Sequence, residues 1–317
     1  MKSIQKIPSV DLIDYTSGEA GRKNKFVAEI GKAYEEIGFV ALRGHFLNDE
    51  LVESLYEEVR KFFALHSEIK NGYEAPGIGG QRGFTSFGKE HAKGRNVGDL
   101  KEFWHFGQYL EDDSKYQGIY PENIVVPELP NFNTSGEKAF RLLEKTGIYV
   151  LRALALHLGL DEFYFDGFVK EGNSILRPIY YPAIEEDPKD AVRAAAHTDI
   201  NLITLLMGAQ GKGLQVQNHK GEWLDAIAAP DELMINVGDM LSRHSNNKLK
   251  STIHQVVNPP KAEWGSPRYS IPFFMHPVSD MNLDCLDECI DDRHPKQFDD
   301  TTAGAYLDER LREIGLI

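Results

Sequence analysis

Cysteine is almost missing from this chain: 317 residues hold two, Cys285 and Cys289. Four apart, they could share a helix face, but a disulfide framework is excluded and a reducing compartment is expected. Basic charge is also short. Lys plus Arg is 35 against 49 Asp plus Glu, a net charge of -14. A surface that acidic repels phosphate backbones and anionic headgroups, so no nucleic acid and no membrane partner is expected. The longest nearly unbroken apolar stretch, around residues 202–207, falls far short of the roughly 20 residues a membrane span needs. The opening MKSIQKIPSVDLIDY has no apolar h-region, so no secretory signal is read there. Repeats, low-complexity tracts and long Pro/Ser linkers are absent. No Gly-x-Ser-x-Gly elbow anchors a hydrolase triad. The glycines at 77–80 are not followed by Gly-Lys-Ser/Thr, so they form no phosphate loop and read as a mobile active-site loop or a turn. What remains, 41% hydrophobic and 26% charged residues, is an ordinary globular balance. The expectation is a soluble cytoplasmic enzyme.

The two halves of the chain differ in pattern. After a short extended segment at 7–12, apolar residues recur at helical spacing over 25–37, and Gly38 ends that helix. A strand follows at 39–42. Asn48 or Asp49 can cap a second helix carrying Leu51, Leu55, Val59, Phe62 and Phe63 as its buried stripe. Residues 72–88 read as a glycine-rich loop, and a long helix spans 135–158. Beyond Gly172, short β-like segments alternate with turn residues at 174–181, 202–207, 213–217, 222–227, 233–237, 252–257 and 268–275. A last helix covers 303–314. Helices first and strands afterwards argue for an α+β fold with a sandwich or barrel core, not for alternating βαβ units.

Chemistry concentrates in the second half. On an extended backbone, residues two apart project from the same face. His197 and Asp199 can therefore bind one metal ion together, with Thr198 pointing away. With 11 histidines and 49 acids, about one or two such His-x-acid triplets arise by chance. The second one, His66-Ser67-Glu68, sits at the end of a helical stretch, where residues two apart diverge and cannot readily chelate. His254, in STIHQVV, supplies a third ligand. Two histidines and one carboxylate leave three corners of an octahedron open, the facial arrangement that suits non-haem Fe(II); a core histidine satisfied within its strand is the alternative. Arg268 and Ser270 again share one strand face and can grip a small carboxylate through a charge-assisted fork. A surface acid could pair with that arginine instead, but the apolar IPFFM beside it argues for a buried position that demands an anion. His244, in LSRHSNN, reads as a turn residue.

The order His-Thr-Asp, then a strand-borne His, then Arg-x-Ser resembles the isopenicillin N synthase-like group of Fe(II)/2-oxoglutarate-dependent oxygenases. IPSVDL, AYEEIGFVALRGH, FFAL, DLKEFWHFG, GLQVQ, LMINVGD, LKSTIHQVVNP and YLDERL resemble the same group in the same order, over nearly the whole chain. The resemblance implies a double-stranded β-helix (jelly-roll) core with a helical N-terminal region and a C-terminal helix. It divides the chain into an N-terminal region at 1–130, a long linking helix at 131–171, the oxygenase core at 172–280 and a C-terminal segment at 281–317. It implies His197, Asp199 and His254 as iron ligands, and Arg268, Ser270 and Tyr181 as the grip on the distal carboxylate of 2-oxoglutarate. It further implies O₂ as oxidant, ascorbate as reductant and a small-molecule substrate hydroxylated or oxidised at an unactivated C–H bond, with release of succinate and CO₂. Arg82, Phe84, Trp104, His105 and Phe106 are candidates for a substrate pocket by the same analogy, or else core aromatics and a solvated arginine. An isopenicillin N synthase-like or aminocyclopropane-carboxylate-oxidase-like enzyme that does without 2-oxoglutarate is the alternative. The chain departs from the group in two places. Ile179 stands where an asparagine is common two residues before the tyrosine. The segment PPKAEWGSP lengthens the connection from His254 to Arg268, and reads as a longer hairpin.

Overall fold

The structure is a computed structural model that describes residues 6–78, 80–89, 99–189, 191–210 and 213–313. In chain order the strands are β1 (Ser9–Asp11), β2 (Phe39–Arg43), β3 (Gly83–Thr85), β4 (Glu102–Gly107), β5 (Ile175–Leu176), β6 (Ile179–Tyr181), β7 (Ala194–His197), β8 (Ile203–Gln210), β9 (Leu214–Gln217), β10 (Trp223–Asp225), β11 (Leu233–Val237), β12 (His254–Val256) and β13 (Arg268–Met275). The helices are α1 (Leu12–Thr16), α2 (Ala20–Glu36), α3 (Asp49–Phe63), α4 (Ser67–Asn71), α5 (Pro130–Leu158), α6 (Asp166–Val169), α7 (Asp239–His244) and α8 (Ala303–Glu313). Among the described residues the strands form two sheets. The larger runs β1-β2-β11-β8-β13-β5-β4-β3, with β6 pairing to β13 and β4; the smaller runs β10-β9-β12-β7.

Strand alternation fixes what each face of the large sheet does. On β8 and β13, Ile203, Leu205, Met207, Ile271, Phe273 and Met275 are fully buried in the main core. Residues between them, Thr204, Leu206, Ser270, Pro272 and Phe274, line a cavity of about 330 Å³ on the other face. The smaller sheet contributes His197, Leu214, His254 and Val256 to the same cavity. Helix α5 covers the core face. Its stripe of Phe132, Ala139, Phe140, Leu143, Val150, Leu151 and Leu154 is buried, and glycine lets it approach the sheet closely: a Cβ on Gly136 would lie 2.6 Å from the Phe106 ring.

Several expected boundaries shift for local reasons. Helix α5 starts at Pro130, because proline is tolerated in a first turn where its missing N–H would be unpaired anyway. It ends at Gly159, whose φ of 86° suits glycine. Asn48 caps α3, its Oδ1 accepting from the Leu51 N–H at 2.8 Å. The segment at 174–181 is two strands, broken at Arg177-Pro178, since proline cannot donate to a ladder. Helix α2 begins earlier than expected, at Ala20, and α1, α7, β4 and β7 were not anticipated. Strands β2, β3 and β4 come from the first half yet belong to the large sheet, so helices and strands are not cleanly separated along the chain. The connection from His254 to Arg268 is not a longer hairpin. Strands β12 and β13 lie in different sheets, and the segment crosses between them through a short 3₁₀ turn, Lys261–Glu263. The expected loop at 77–80 falls partly outside the described residues; Gly80 adopts a φ of 66°.

Candidate metal and cosubstrate site

Register places the two histidines opposite each other. Strands β7 and β12 pair antiparallel with His254 facing His197, and their ring centroids are 4.4 Å apart. Asp199 follows two residues after the end of β7 as the chain turns toward the large sheet. Its Oδ1 lies 3.9 Å from His197 Nε2 and 3.7 Å from His254 Nε2. One ligand atom from each of the three lies within 4.8 Å of the others. Thr198 donates its hydroxyl to Asp239 Oδ2 at 3.0 Å, and both residues line the same cavity.

The surroundings set the chemical state of these groups. Each histidine keeps its Nδ1 on the carbonyl two residues earlier, His197 on Ala195 at 2.7 Å and His254 on Thr252 at 3.1 Å. A carbonyl only accepts, so Nδ1 carries the hydrogen and Nε2 presents a lone pair. Burial, and then the neighbouring His254, push His197 down to about 4, so it is neutral at pH 7. Burial alone would raise Asp199, but the two imidazoles and hydrogen bonds from Asn236 and Thr204 outweigh it and hold the carboxyl below its ordinary value. Two imidazole nitrogens and one carboxylate oxygen form the donor set that suits Fe(II) with positions left open. The residues present fit the metal.

Arg268 and Ser270 stand two residues apart on the cavity face of β13. Tyr181 pairs with Arg268 across β6 and β13, and the guanidinium lies 5.0 Å from its ring centroid. Arg268 is 1% exposed, and its Nε and Nη1 have no partner among the described residues. Burying a cation without an acceptor is costly, so this end of the cavity is built for an anion, and a ligand carboxylate fits. Ile179 faces Ser270 across the ladder and gives the wall an apolar surface where the resemblance would place an amide.

Of the five candidate pocket residues, the structure brings only His105 to the cavity. Phe84, Trp104 and Phe106 belong to the core, where Trp104 packs against Phe62 and Phe132. Arg82 is neither solvated nor in the pocket: it is fully buried against Gly107. His244 is not a turn residue. It ends α7, is buried, and bonds Tyr164 and the Asp284 carbonyl. His66-Ser67-Glu68 opens the separate helix α4 and takes no part in the site. Cys285 and Cys289 are free and buried. Other cavity residues had not been singled out, among them Arg177, Asn173, His276, Thr204 and Asn236. A polar residue inside an apolar strand run, such as Thr204 in ITLLM or Asn236 in LMINV, is the signal that could have found them.

A two-sheet barrel whose cavity holds two histidines, a carboxylate and a buried arginine defines a non-haem iron oxygenase. Comparison with known proteins agrees. Residues 7–128 match the family described as non-haem dioxygenase in morphine synthesis N-terminal, and residues 172–277 match the 2OG-Fe(II) oxygenase superfamily. The chain is 30% identical to the 2-oxoglutarate-dependent dioxygenase citB of Monascus ruber, over 90% of this chain and 89% of that one. A solved protein of Caulobacter crescentus, assigned to the 2OG-Fe(II) oxygenase family, is 39% identical with a TM-score of 0.88, covering 98% of this chain and all of that one. A full-length Neurospora crassa protein, solved in complex with alpha-KG (2-oxoglutarate), is 30% identical with a TM-score of 0.85, covering 96% and 95%. The chain belongs to the 2OG-Fe(II) oxygenase superfamily. It is a non-haem iron, 2-oxoglutarate-dependent dioxygenase with a jelly-roll core. Among the described residues, no helix is long and apolar enough to cross a membrane.

Proposed function

We propose that His197, Asp199 and His254 hold the Fe(II), that Arg268, Ser270 and Tyr181 hold the distal carboxylate of 2-oxoglutarate, and that the enzyme oxidises an unactivated C–H bond of a small molecule. The observation that carries this reading is the meeting of two histidine Nε2 atoms and Asp199 Oδ1 in one cavity with a buried arginine whose Nε and Nη1 have no partner among the described residues. When bound, iron and 2-oxoglutarate supply the oxidising chemistry, in which O₂ is activated as the cosubstrate becomes succinate and CO₂. The chain's own residues do the rest. The histidines are held in orientation by their Nδ1 contacts to the Ala195 and Thr252 carbonyls. Arg268 neutralises and orients the far carboxylate, and Tyr181 packs beside it. The apolar wall of Ile175, Ile179, Leu206 and Phe274 keeps water from the reacting centre.

The substrate belongs at the opposite end of the cavity. Along β13 the cavity face continues from Arg268 through Ser270 and Pro272 to Phe274. His276, just past the strand's end, lines the same cavity together with Asp199 and Arg177. Arg177 donates from Nε to His105 Nε2 at 2.5 Å and lies 4.3 Å from the Phe103 ring centroid and 5.0 Å from that of Phe274. With Asn173, these groups make a polar end flanked by aromatic rings, suited to a compact molecule bearing polar oxygen or nitrogen. The cavity of about 330 Å³ is near the small end of the roughly 300–1,000 Å³ range of ligand pockets. It must hold cosubstrate and substrate together, so the substrate is about as small as the cosubstrate. The Neurospora crassa protein has also been solved with thymine, a compact polar molecule of this kind. The alpha-KG complexes of that protein favour this reading over an oxidase without 2-oxoglutarate.

Ascorbate is the reductant in this proposal, since open iron sites oxidise in idle turnover. The cytoplasm is the proposed compartment, supported by two free cysteines. We also assign residues 1–130, 131–171, 172–280 and 281–317 as N-terminal region, linking segment, catalytic core and C-terminal segment, a division supported by matches at 7–128 and 172–277; within the linking segment the long helix α5 ends at Leu158 and the short α6 follows. The test is a screen of small polar molecules read by succinate release with Fe(II) and ascorbate present. A substrate should raise succinate in step with its own oxidation in the wild type and not in His197→Ala, Asp199→Ala or His254→Ala. Undiminished turnover in those variants would contradict the ligand assignment.

A further inference from the structure

Asp199 is held by one oxygen and offered by the other. Its Oδ2 accepts from Thr204 Oγ1 at 2.6 Å and from Asn236 Nδ2 at 2.8 Å. Its Oδ1 is the oxygen turned toward both histidine Nε2 atoms. The two donors come from neighbouring strands of the large sheet: β8 and β11 pair with Thr204 directly opposite Asn236. The donors are themselves fixed. Asn201 Nδ2 donates to Thr204 Oγ1 at 3.0 Å and to the Ile203 carbonyl at 3.1 Å, which leaves the threonine hydrogen for Asp199. The backbone of Asp199 is pinned as well, its carbonyl accepting from the Asp239 N–H at 2.7 Å. Asp199, Asn201, Thr204 and Asn236 are all buried. Hydrogen bonds to an ionised, buried acceptor are the strong kind, and abandoning two of them would leave both donors unsatisfied.

Resting on the ligand assignment above, we propose that Thr204 and Asn236 form a clamp that makes Asp199 a one-oxygen ligand. They are positioning residues; neither touches the metal. The consequence concerns the number of open coordination positions. Three single-atom ligands leave three of six octahedral positions open. A chelating cosubstrate and O₂ would together need those open positions. A carboxylate free to swing its second oxygen onto the metal would take one of these three and leave no place for O₂. The clamp thus keeps the site open on the face where the reaction occurs.

The experiment uses the full chain loaded with Mn(II), which shares the octahedral oxygen and nitrogen preference. Broadening of the Mn(II) paramagnetic resonance signal in ¹⁷O-water counts the water molecules on the ion. The wild type should hold three. Thr204→Val combined with Asn236→Ala should hold two, as the released Oδ2 takes a position. Thr204→Ser in the Asn236 wild-type background keeps the hydroxyl and should hold three. If the double variant fails to fold, Thr204→Val alone carries the test, with a count below three expected. A count of three in the clamp-deficient protein, at whatever metal affinity, overturns the proposal. Failure of the underlying reading looks different: Mn(II) would then bind the His197→Ala, Asp199→Ala variant as tightly as the wild type.

Discussion

At the scale of single residues, the proposed grip on the cosubstrate rests on the charge of Arg268. It is buried with two nitrogens that have no partner among the described residues, beside a second guanidinium, Arg193, which burial and then Arg268 push below its ordinary value. A ligand carboxylate relieves both. Arg268→Ala should therefore weaken 2-oxoglutarate binding by about 2–5 kcal/mol, roughly 30- to several-thousand-fold. Arg268→Lys should recover only part, because an ammonium cannot reproduce the fork. Ser270→Ala should cost about 1 kcal/mol, the loss of one neutral donor. Calorimetric titration of the three variants reads these differences directly, and equal affinities would remove Arg268 from the site. This residue was legible in the sequence because an arginine two positions from a serine, against an apolar run, is conspicuous. Arg177 was not: it stands alone in ILRPIYYP, and only the meeting of β4, β5 and β6 shows that its neighbours are His105 and Phe103.

At the scale of elements, periodicity revealed α2, α3, α5 and most strands of the second half, since each carries an apolar stripe or alternation long enough to read. It missed β7, whose Ala194-Ala195-Ala196 has no alternation, and β4, whose aromatic run suits several structures. Yet β7 carries His197, and its pairing with β12 is what sets the histidines face to face. Pairing between segments about 57 residues apart is a tertiary fact that no local pattern encodes. Helix α5 gives two further predictions. Gly136→Ala should destabilise the protein by about 1–2 kcal/mol despite alanine's higher helix propensity, because the Phe106 ring it meets is already packed against Trp104 and Phe132. Chemical denaturation measures this, and a gain in stability would show that the ring can move aside. Burial pushes the Glu144 carboxyl of α5 up to about 7, even with the Gln108 amide donating to it. The folded state then holds this proton more tightly than the unfolded chain. The associated stability is fully present below about pH 4.5 and is lost as pH rises through about 7. Glu144→Gln should leave stability at pH 4.5 nearly unchanged and raise it at pH 8 by about 3 kcal/mol, visible as a flatter dependence of Tm on pH.

At the scale of the whole molecule, two sheets and a layer of helices serve one cavity. The small sheet brings both histidines, the large sheet brings Arg268, Ser270 and the clamp on Asp199, and the first half of the chain supplies β4 with His105. The last helix closes the volume through Leu307 and Leu311. No single segment contains the cavity, which is why motifs could point to His197, Asp199, His254 and Arg268 while Arg177, His276 and Asn173 emerged only from the fold. The central claim is that one metal and one 2-oxoglutarate bind together in this cavity, the first required for the second. Anaerobic titration of 2-oxoglutarate into the Fe(II)-loaded and the metal-free wild type tests it most directly. The account predicts one equivalent bound with iron present, and affinity lower by tenfold or more without it. No binding to the iron-loaded protein, or equal binding with and without iron, would contradict it.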